Sequence, residues 1–252
     1  MKVTDYSKIA DKYDKNKYRQ NVNQDLYLKE FIKKCAKDEY NILDLACGTG
    51  IYLSNQMSYF PNDNINWHGL DASKEMLSIA KEKVKNVDFV NELAENMSYE
   101  SNRFDYIVNN YAFQHFTKKT QALDEIYRVL NRDGIFKMHN ISVYDMKNWW
   151  IYQYFPNAYD EDIKRFWTKE LIYNELANRN FDVNLEIKYN IKTEKLSNLL
   201  DYVENKDISI LTLLRDSDYK SGLEKMRYEI NNNPNTTIVC DFAEMFCIAK
   251  KL

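Results

Sequence analysis

A chain of 252 residues with 44% apolar and 29% charged residues has the make-up of a globular protein with one sizeable core. Its formal net charge of −3, with no lysine or arginine run, argues against nucleic acid or an anionic membrane as partner. Cys35, Cys47, Cys240 and Cys247 form no C-x-x-C pair and no zinc-like cluster, so no metal is expected and a reducing, cytoplasmic setting is. The polar opening MKVTDYSKIADKYDK lacks an apolar signal core, and no stretch reaches the ~20 apolar residues of a membrane span.

Taken in order, Asp5–Gln20 places Tyr6, Ile9, Ala10 and Tyr13 on one helical face. That is the pattern of a surface helix packing its rings inward, or of a segment folded over a ligand. Asn23–Cys35 is a second helix with Leu26, Tyr27, Phe31 and Ile32 turned inward. Then comes Asn41–Gly50, NILDLACGTG. Ile42, Leu43 and Leu45 mark a buried strand interrupted by Asp44, and Ala46-Cys47-Gly48-Thr49-Gly50 makes a tight turn into a helix. Glycine there allows positive φ and close approach of a ligand to the backbone. A carboxylate at the end of a buried strand needs a partner. The turn suits a nucleotide-type ligand, but Leu53 replaces the third glycine of a dinucleotide fingerprint, and the Gly-Lys-Ser/Thr of a phosphate loop is absent.

Asn64–Leu70 is a second strand ending at Asp71, about 20 residues beyond Gly50, the offset at which an acid grips a ribose diol. Ser73 caps a helix over Lys74–Lys85. Val87–Val90 and Phe104–Val108 are further strands, the second leading to Asn109, Asn110 and then His115 in a loop. His115 is either a structural hydrogen-bonder or a general base, since its ordinary pKa lies near working pH. Thr120–Leu130 is an amphipathic helix, turned by Asn131–Gly134 into the strand Ile135–His139. Past Ser142 the rings of Trp149, Trp150, Tyr152, Tyr154, Phe155 and Tyr159 crowd together, as an acceptor pocket or as core. Phe181–Tyr189 and Phe242–Ala249 read as an antiparallel edge pair, and the helical patterns of residues 190–237 between them read as a cap.

Several of these stretches resemble the class I S-adenosylmethionine-dependent methyltransferases. The acid and small-x-Gly-x-Gly of their first motif match Asp44-Leu45-Ala46-Cys47-Gly48-Thr49-Gly50, and their second signature matches Asp71-Ala72-Ser73-x-x-Met76. The family's opening Tyr-x-x-x-Ala-x-x-Tyr-Asp and following Arg match Tyr6, Ala10, Tyr13, Asp14 and Arg19. Its acid-Ala-acid stretch falls on Leu93-Ala94-Glu95, with Leu93 a departure at the first acid, and its Leu-His-His triplet on Phe113-Gln114-His115. EIYRVLNRDGIF resembles the stretch that sets a helix against the fifth strand, with Asp133 at one of its glycines.

The resemblance implies an α/β fold: a Rossmann-like, seven-stranded, mostly parallel sheet with an antiparallel last strand and a helical cap inserted before it. It implies a single domain over 1–252, with cofactor-covering helices at 1–35, a cofactor-binding core at 36–145 and a cap at 190–237. The cofactor implied is S-adenosyl-L-methionine, held by Tyr13, Arg19, Asp44, Ala46, Gly48, Gly50, Asp71, Ala72, Met76, Ala94, Glu95, Asn109 and Asn110. His115 is the candidate base, and Tyr6, Trp149, Trp150, Tyr152 and Tyr154 are candidate walls for a small-molecule acceptor. A protein or RNA methyltransferase, or a cofactor-binding protein without turnover, are the competing expectations. The chain is expected to be a monomer or homodimer.

Overall fold

The computed structural model describes residues 10–15, 20, 22–61 and 64–252. Its seven strands are β1 (Tyr40–Leu45), β2 (Ile65–Asp71), β3 (Val87–Asn91), β4 (Phe104–Asn110), β5 (Leu130–Ile141), β6 (Phe181–Lys195) and β7 (Thr237–Lys251). They form one sheet in the order β3-β2-β1-β4-β5-β7-β6. Pairing is parallel from β3 to β5, and the last strand runs antiparallel in a Rossmann-like arrangement. The strand order reverses between β1 and β4, and the crevice beyond the carboxyl ends at such a reversal is where open α/β sheets bind ligands.

Two compact units make up the described chain. One, the sheet unit, takes the described residues up to His139 together with Tyr173–Leu185 and Cys247–Leu252. The other, an aromatic unit, takes Asn140–Ile172 and Glu186–Phe246. Within the sheet unit, Ile42, Tyr106 and Val108 of the central strands pack with Leu28 and Phe31, Leu53 and Leu77 from three helices. Strands buried on both faces must be apolar along their length, which is why β1 and β4 read as near-continuous runs.

The helix Leu26–Cys35 starts at Asp25, whose Oδ1 accepts from the N–H groups of Tyr27 and Leu28. The same carboxylate, 4% exposed, accepts from the Tyr52 hydroxyl at 2.8 Å and pairs with Lys137 Nζ at 2.7 Å. One side chain thus caps a helix and ties it to a neighbouring helix and to β5. The helix Lys74–Lys83 is capped as expected, with Ser73 Oγ accepting from Met76 N–H at 3.2 Å.

Some boundaries move. The turn expected at Asn131–Gly134 lies inside β5 as an irregularity, because Phe104 pairs with Leu130 but Tyr106 with Ile135. Asp133 there adopts φ 63°, a left-handed conformation that Asp tolerates better than bulkier residues. The edge pair is longer than expected: β6 runs on to Lys195 and β7 starts at Thr237. The helical insertion between them consists of Leu196–Glu204, a 3₁₀ turn at Ser209–Thr212, and Asp216–Asn232. Among the described residues no helix is long and apolar enough to cross a membrane.

Candidate active site

β1 carries Asp44 one residue from its carboxyl end, paired in register with Gly69 of β2 and Val108 of β4. After Leu45 the chain turns through Ala46, at φ 63°, and Gly48, at φ 55°. Cys47 N–H still donates to Leu70 O of β2 at 3.0 Å, so the turn is held against the neighbouring strand. Gly50, at φ 74°, opens the helix Ile51–Tyr59. A Cβ on Gly50 would press on Val84 and Ala80 at 3.2 and 3.3 Å, whereas one on Gly48 would meet only Tyr13 Cε1, at 4.0 Å. The two glycines therefore do different work: Gly50 allows helix packing, and Gly48 leaves open space beside the backbone.

Asp71 closes the arrangement from the end of β2. Its Oδ2 accepts from Gly48 N–H at 2.8 Å and its Oδ1 from Ser73 N–H at 2.9 Å. Burial raises its pKa, opposed by the N–H groups of Ser73, Gly48 and Ala72 that bond the ionised form. Asp44 is more extreme. It is 3% exposed, its Oδ2 has no partner among the described residues, and burial, followed by the nearby Asp71 carboxylate, pushes its pKa up to about 8. Cys47 lies beside both acids; burial first, then Asp44 and Asp71, push its thiol well up. Two further buried oxygens of this region, Thr49 Oγ1 and Asn109 Oδ1, also lack a partner. Asn109 spends its amide on Leu45 O at 2.8 Å, tying the ends of β4 and β1 together. A pair of carboxylates beside unpartnered oxygens, under a glycine backbone, is an electronegative cradle suited to a cationic ligand rich in donors.

The other expected site residues are placed as follows. Tyr13 lies on the helix Ala10–Lys15, over Gly48, and this helix is tied to Lys74–Lys83 by the Lys83–Asp14 ion pair. Tyr6 and Arg19 lie outside the described residues. Met76 is buried in its helix, Ala72 is exposed and Ala94 is buried. Glu95 has a structural occupation: Oε1 accepts from Thr117 and Lys118 N–H at 2.7 and 3.0 Å, holding the entry to the helix Lys119–Val129 and lowering its pKa despite burial. Glu92, three residues before it, accepts from Ser98 N–H, and Leu93 is 56% exposed. His115 is half-buried in the 3₁₀ turn Phe113–His115, its Nε2 3.1 Å from Gln114 Nε2. Asn110 pairs in register with His139 of β5.

One pair escaped sequence reasoning. Tyr111, just past β4, has φ 52°, and its hydroxyl lies 3.1 Å from His139 Nε2 with the rings 4.5 Å apart. Strained backbone gathers at functional sites. The residues are far apart in sequence, and only the parallel pairing of β4 with β5 makes them neighbours.

A methyltransferase-domain family model matches residues 42–134, the span from β1 through the irregularity in β5. The ubiquinone/menaquinone biosynthesis C-methyltransferase UbiE of Campylobacter jejuni is 33% identical over 185 residues, covering 63% of this chain and 74% of that protein. The chain belongs to the class I S-adenosylmethionine-dependent methyltransferases. A second relative in this family, the malonyl-[acyl-carrier protein] O-methyltransferase 1 of Ilyobacter polytropus, is 28% identical over 174 residues, 67% of this chain and 62% of that one. A solved structure from Anabaena variabilis, described as a candidate methyltransferase of an antibiotic biosynthesis pathway, shares the fold at TM-score 0.68 and 19% identity, over 90% of this chain and 98% of that chain. The enzyme is an S-adenosylmethionine-dependent methyltransferase, and S-adenosylmethionine is its cofactor. The strand ends fit that molecule, whose ammonium, sulfonium and ribose hydroxyls call for acceptor oxygens such as those gathered here.

The aromatic segment is packed inside the aromatic unit. Trp149, Trp150, Tyr152 and Tyr154 are all at most 8% exposed, in one core with Phe155, Leu196 and Met226. The Tyr152 hydroxyl donates to Asp162 Oδ2 at 2.8 Å, and the Tyr154 hydroxyl bonds Glu229.

Proposed function

We propose that this methyltransferase acts on a small-molecule acceptor, with the cofactor held across the ends of β1, β2 and β4. The observation that carries the cofactor half is Asp44, a buried acid beside a second carboxylate, whose Oδ2 has no partner among the described residues. Bound S-adenosylmethionine supplies a methyl group on a cationic sulfur with a good leaving group. Asp71 accepts the ribose hydroxyls, Gly48 admits the ligand to the backbone, and Asp44 balances its positive charge. Tyr13 lies over the same glycine, where a ring face favours a sulfonium.

The chain's main contribution to rate is then alignment, which offsets roughly 7–11 kcal/mol of barrier when two reactants are held in line. An amine acceptor needs no base once deprotonated. For a hydroxyl or carbon acid, His115 or the Tyr111–His139 pair is the group available past the end of β4 to take the proton. The relatives support a small acceptor without settling its nucleophile, since one is named for transfer to carbon and the other for transfer to oxygen. The near-balanced charge supports it too, because RNA would call for a basic face.

The test is release of S-adenosylhomocysteine from a panel of phenolic, enolic, carboxylic and amine acceptors, with a peptide library and structured RNA in parallel. Turnover on a small acceptor is the expected result. Turnover confined to peptide or RNA would overturn the acceptor class and leave the cofactor assignment standing.

A further inference from the structure

The aromatic unit contains an arginine with only one of its three side-chain nitrogens bonded among the described residues. Helix Pro156–Asp162 ends on Asp162, 1% exposed, and three residues later Arg165 is 2% exposed. Arg165 Nη2 donates to Asp162 Oδ1, and the Tyr152 hydroxyl occupies Oδ2 of the same carboxylate. Arg165 N–H also donates to Asp162 O at 2.8 Å, so backbone and side chain together fix the guanidinium. Its Nε and Nη1 are enclosed and have no partner among the described residues.

A guanidinium keeps its charge at any working pH and carries five donors. Burying it with two of its three nitrogens unpaired is costly, more so than for a neutral donor. Nothing in the core around it supplies the missing acceptors: the Phe166 ring lies 5.6 Å from Cζ, and Tyr152 packs on Trp149 and Tyr159 at 5.3 and 5.2 Å. If Arg165 served only to neutralise Asp162, replacing both by apolar residues of similar volume would remove the charge and the stranded donors together. What the arrangement retains is a planar donor group, held by Asp162 and walled by rings. Planar donors of this kind suit carboxylate and phosphate oxygens.

We propose that Arg165 is a binding residue for an anionic oxygen group, a carboxylate or phosphate, on a small organic ligand of the aromatic unit. Tyr152 and Asp162 act as positioning residues that set the plane of its guanidinium. The ligand class is an organic acid with an apolar body that packs among Phe166 and Trp149. Holding the guanidinium in place beforehand lowers the ordering cost of binding.

The test is calorimetric titration of the full chain, saturated with S-adenosylhomocysteine so that the cofactor site is blocked, with benzoate, phenyl phosphate and the neutral isostere benzamide. Benzoate or phenyl phosphate is expected to bind at least about tenfold more tightly than benzamide, and Arg165→Gln to remove that difference while S-adenosylhomocysteine affinity is unchanged. Equal binding of benzoate and benzamide, no anion binding up to about 50 mM, or full anion binding by Arg165→Gln would each overturn the proposal. Should Arg165→Gln fail to fold, the wild-type comparison of benzoate with benzamide decides alone. Failure of the wild type to bind S-adenosylhomocysteine would instead count against the cofactor site, independently of Arg165.

Discussion

The sheet unit and the aromatic unit solve the problem of burying polar groups in opposite ways. In the sheet unit a mixed aliphatic and aromatic core leaves Asp44, Thr49 and Asn109 with oxygens that have no partner among the described residues, at strand ends and in the turn between β1 and its helix. In the aromatic unit the hydroxyls of Tyr152 and Tyr154 are matched to Asp162 and Glu229, and the unpartnered donors sit on the single side chain Arg165. Among the described residues the unpartnered atoms of the sheet unit are chiefly oxygens, and those of the aromatic unit are guanidinium nitrogens. A ligand rich in cationic and hydroxyl groups would satisfy the first set, and an acidic ligand the second.

The largest expected effect separates binding from packing within the glycine turn. Gly48→Val should abolish measurable S-adenosylhomocysteine binding by calorimetry while the protein stays folded, because its Cβ meets only Tyr13 at 4.0 Å. Its φ of 55° adds about 1–2 kcal/mol of strain. Gly69→Val is the contrast. Its Cβ would lie 2.7 Å from the Phe89 ring and 3.0 Å from Cys47 Sγ, so it should fail as a folding mutant. Unchanged cofactor affinity in Gly48→Val would make the turn purely structural.

Next in size is the cost of emptying the aromatic core. Trp150→Ala should cost about 3–5 kcal/mol in denaturant unfolding, with cofactor affinity in the folded fraction retained. A loss below about 1 kcal/mol joined to a raised acceptor KM would instead make Trp150 a pocket wall.

Asp71→Ala should weaken S-adenosylhomocysteine by about 1.5–3 kcal/mol, the worth of hydrogen bonds to a charged group. Unchanged affinity by titration would remove Asp71 from the ribose role.

The last effect is graded with pH. Asp44, with a folded pKa of about 8 against an ordinary 3.8, stays protonated in the free chain where the unfolded chain is ionised. Its contribution to stability is therefore full below about pH 4 and is lost as pH rises toward 8. A cationic cofactor favours the ionised form, so S-adenosylmethionine affinity should rise from pH 6 to 8 with release of a proton. Asp44→Asn should flatten both profiles. A cofactor affinity independent of pH in the wild type would show that Asp44 does not face the ligand's charge.

How much of this was readable beforehand follows sequence distance. Asp44, Gly48 and Asp71 were legible because each announces itself locally: an acid breaking an apolar strand, a glycine where φ turns positive, an acid before a capped helix. The Ser73 cap was legible for the same reason, its partner lying three residues on. Asp25 was not, since its partners Tyr52, Tyr106 and Lys137 are distant in the chain and become neighbours only when helices and sheet assemble. Glu95 carried a motif-based expectation of cofactor contact, and the fold sets it against Thr117 and Lys118, 22 and 23 residues away.

By itself the sequence determined the periodicities, the glycine turn and the acids around it, because these depend on backbone conformation and short-range spacing, and the resemblance of those stretches to a family implied the fold class and the cofactor. The tertiary structure alone decided which buried polar groups are satisfied. Partner and burial are properties of folded space, so the stranded oxygen of Asp44 and the stranded nitrogens of Arg165 became visible only once the chain had closed around them.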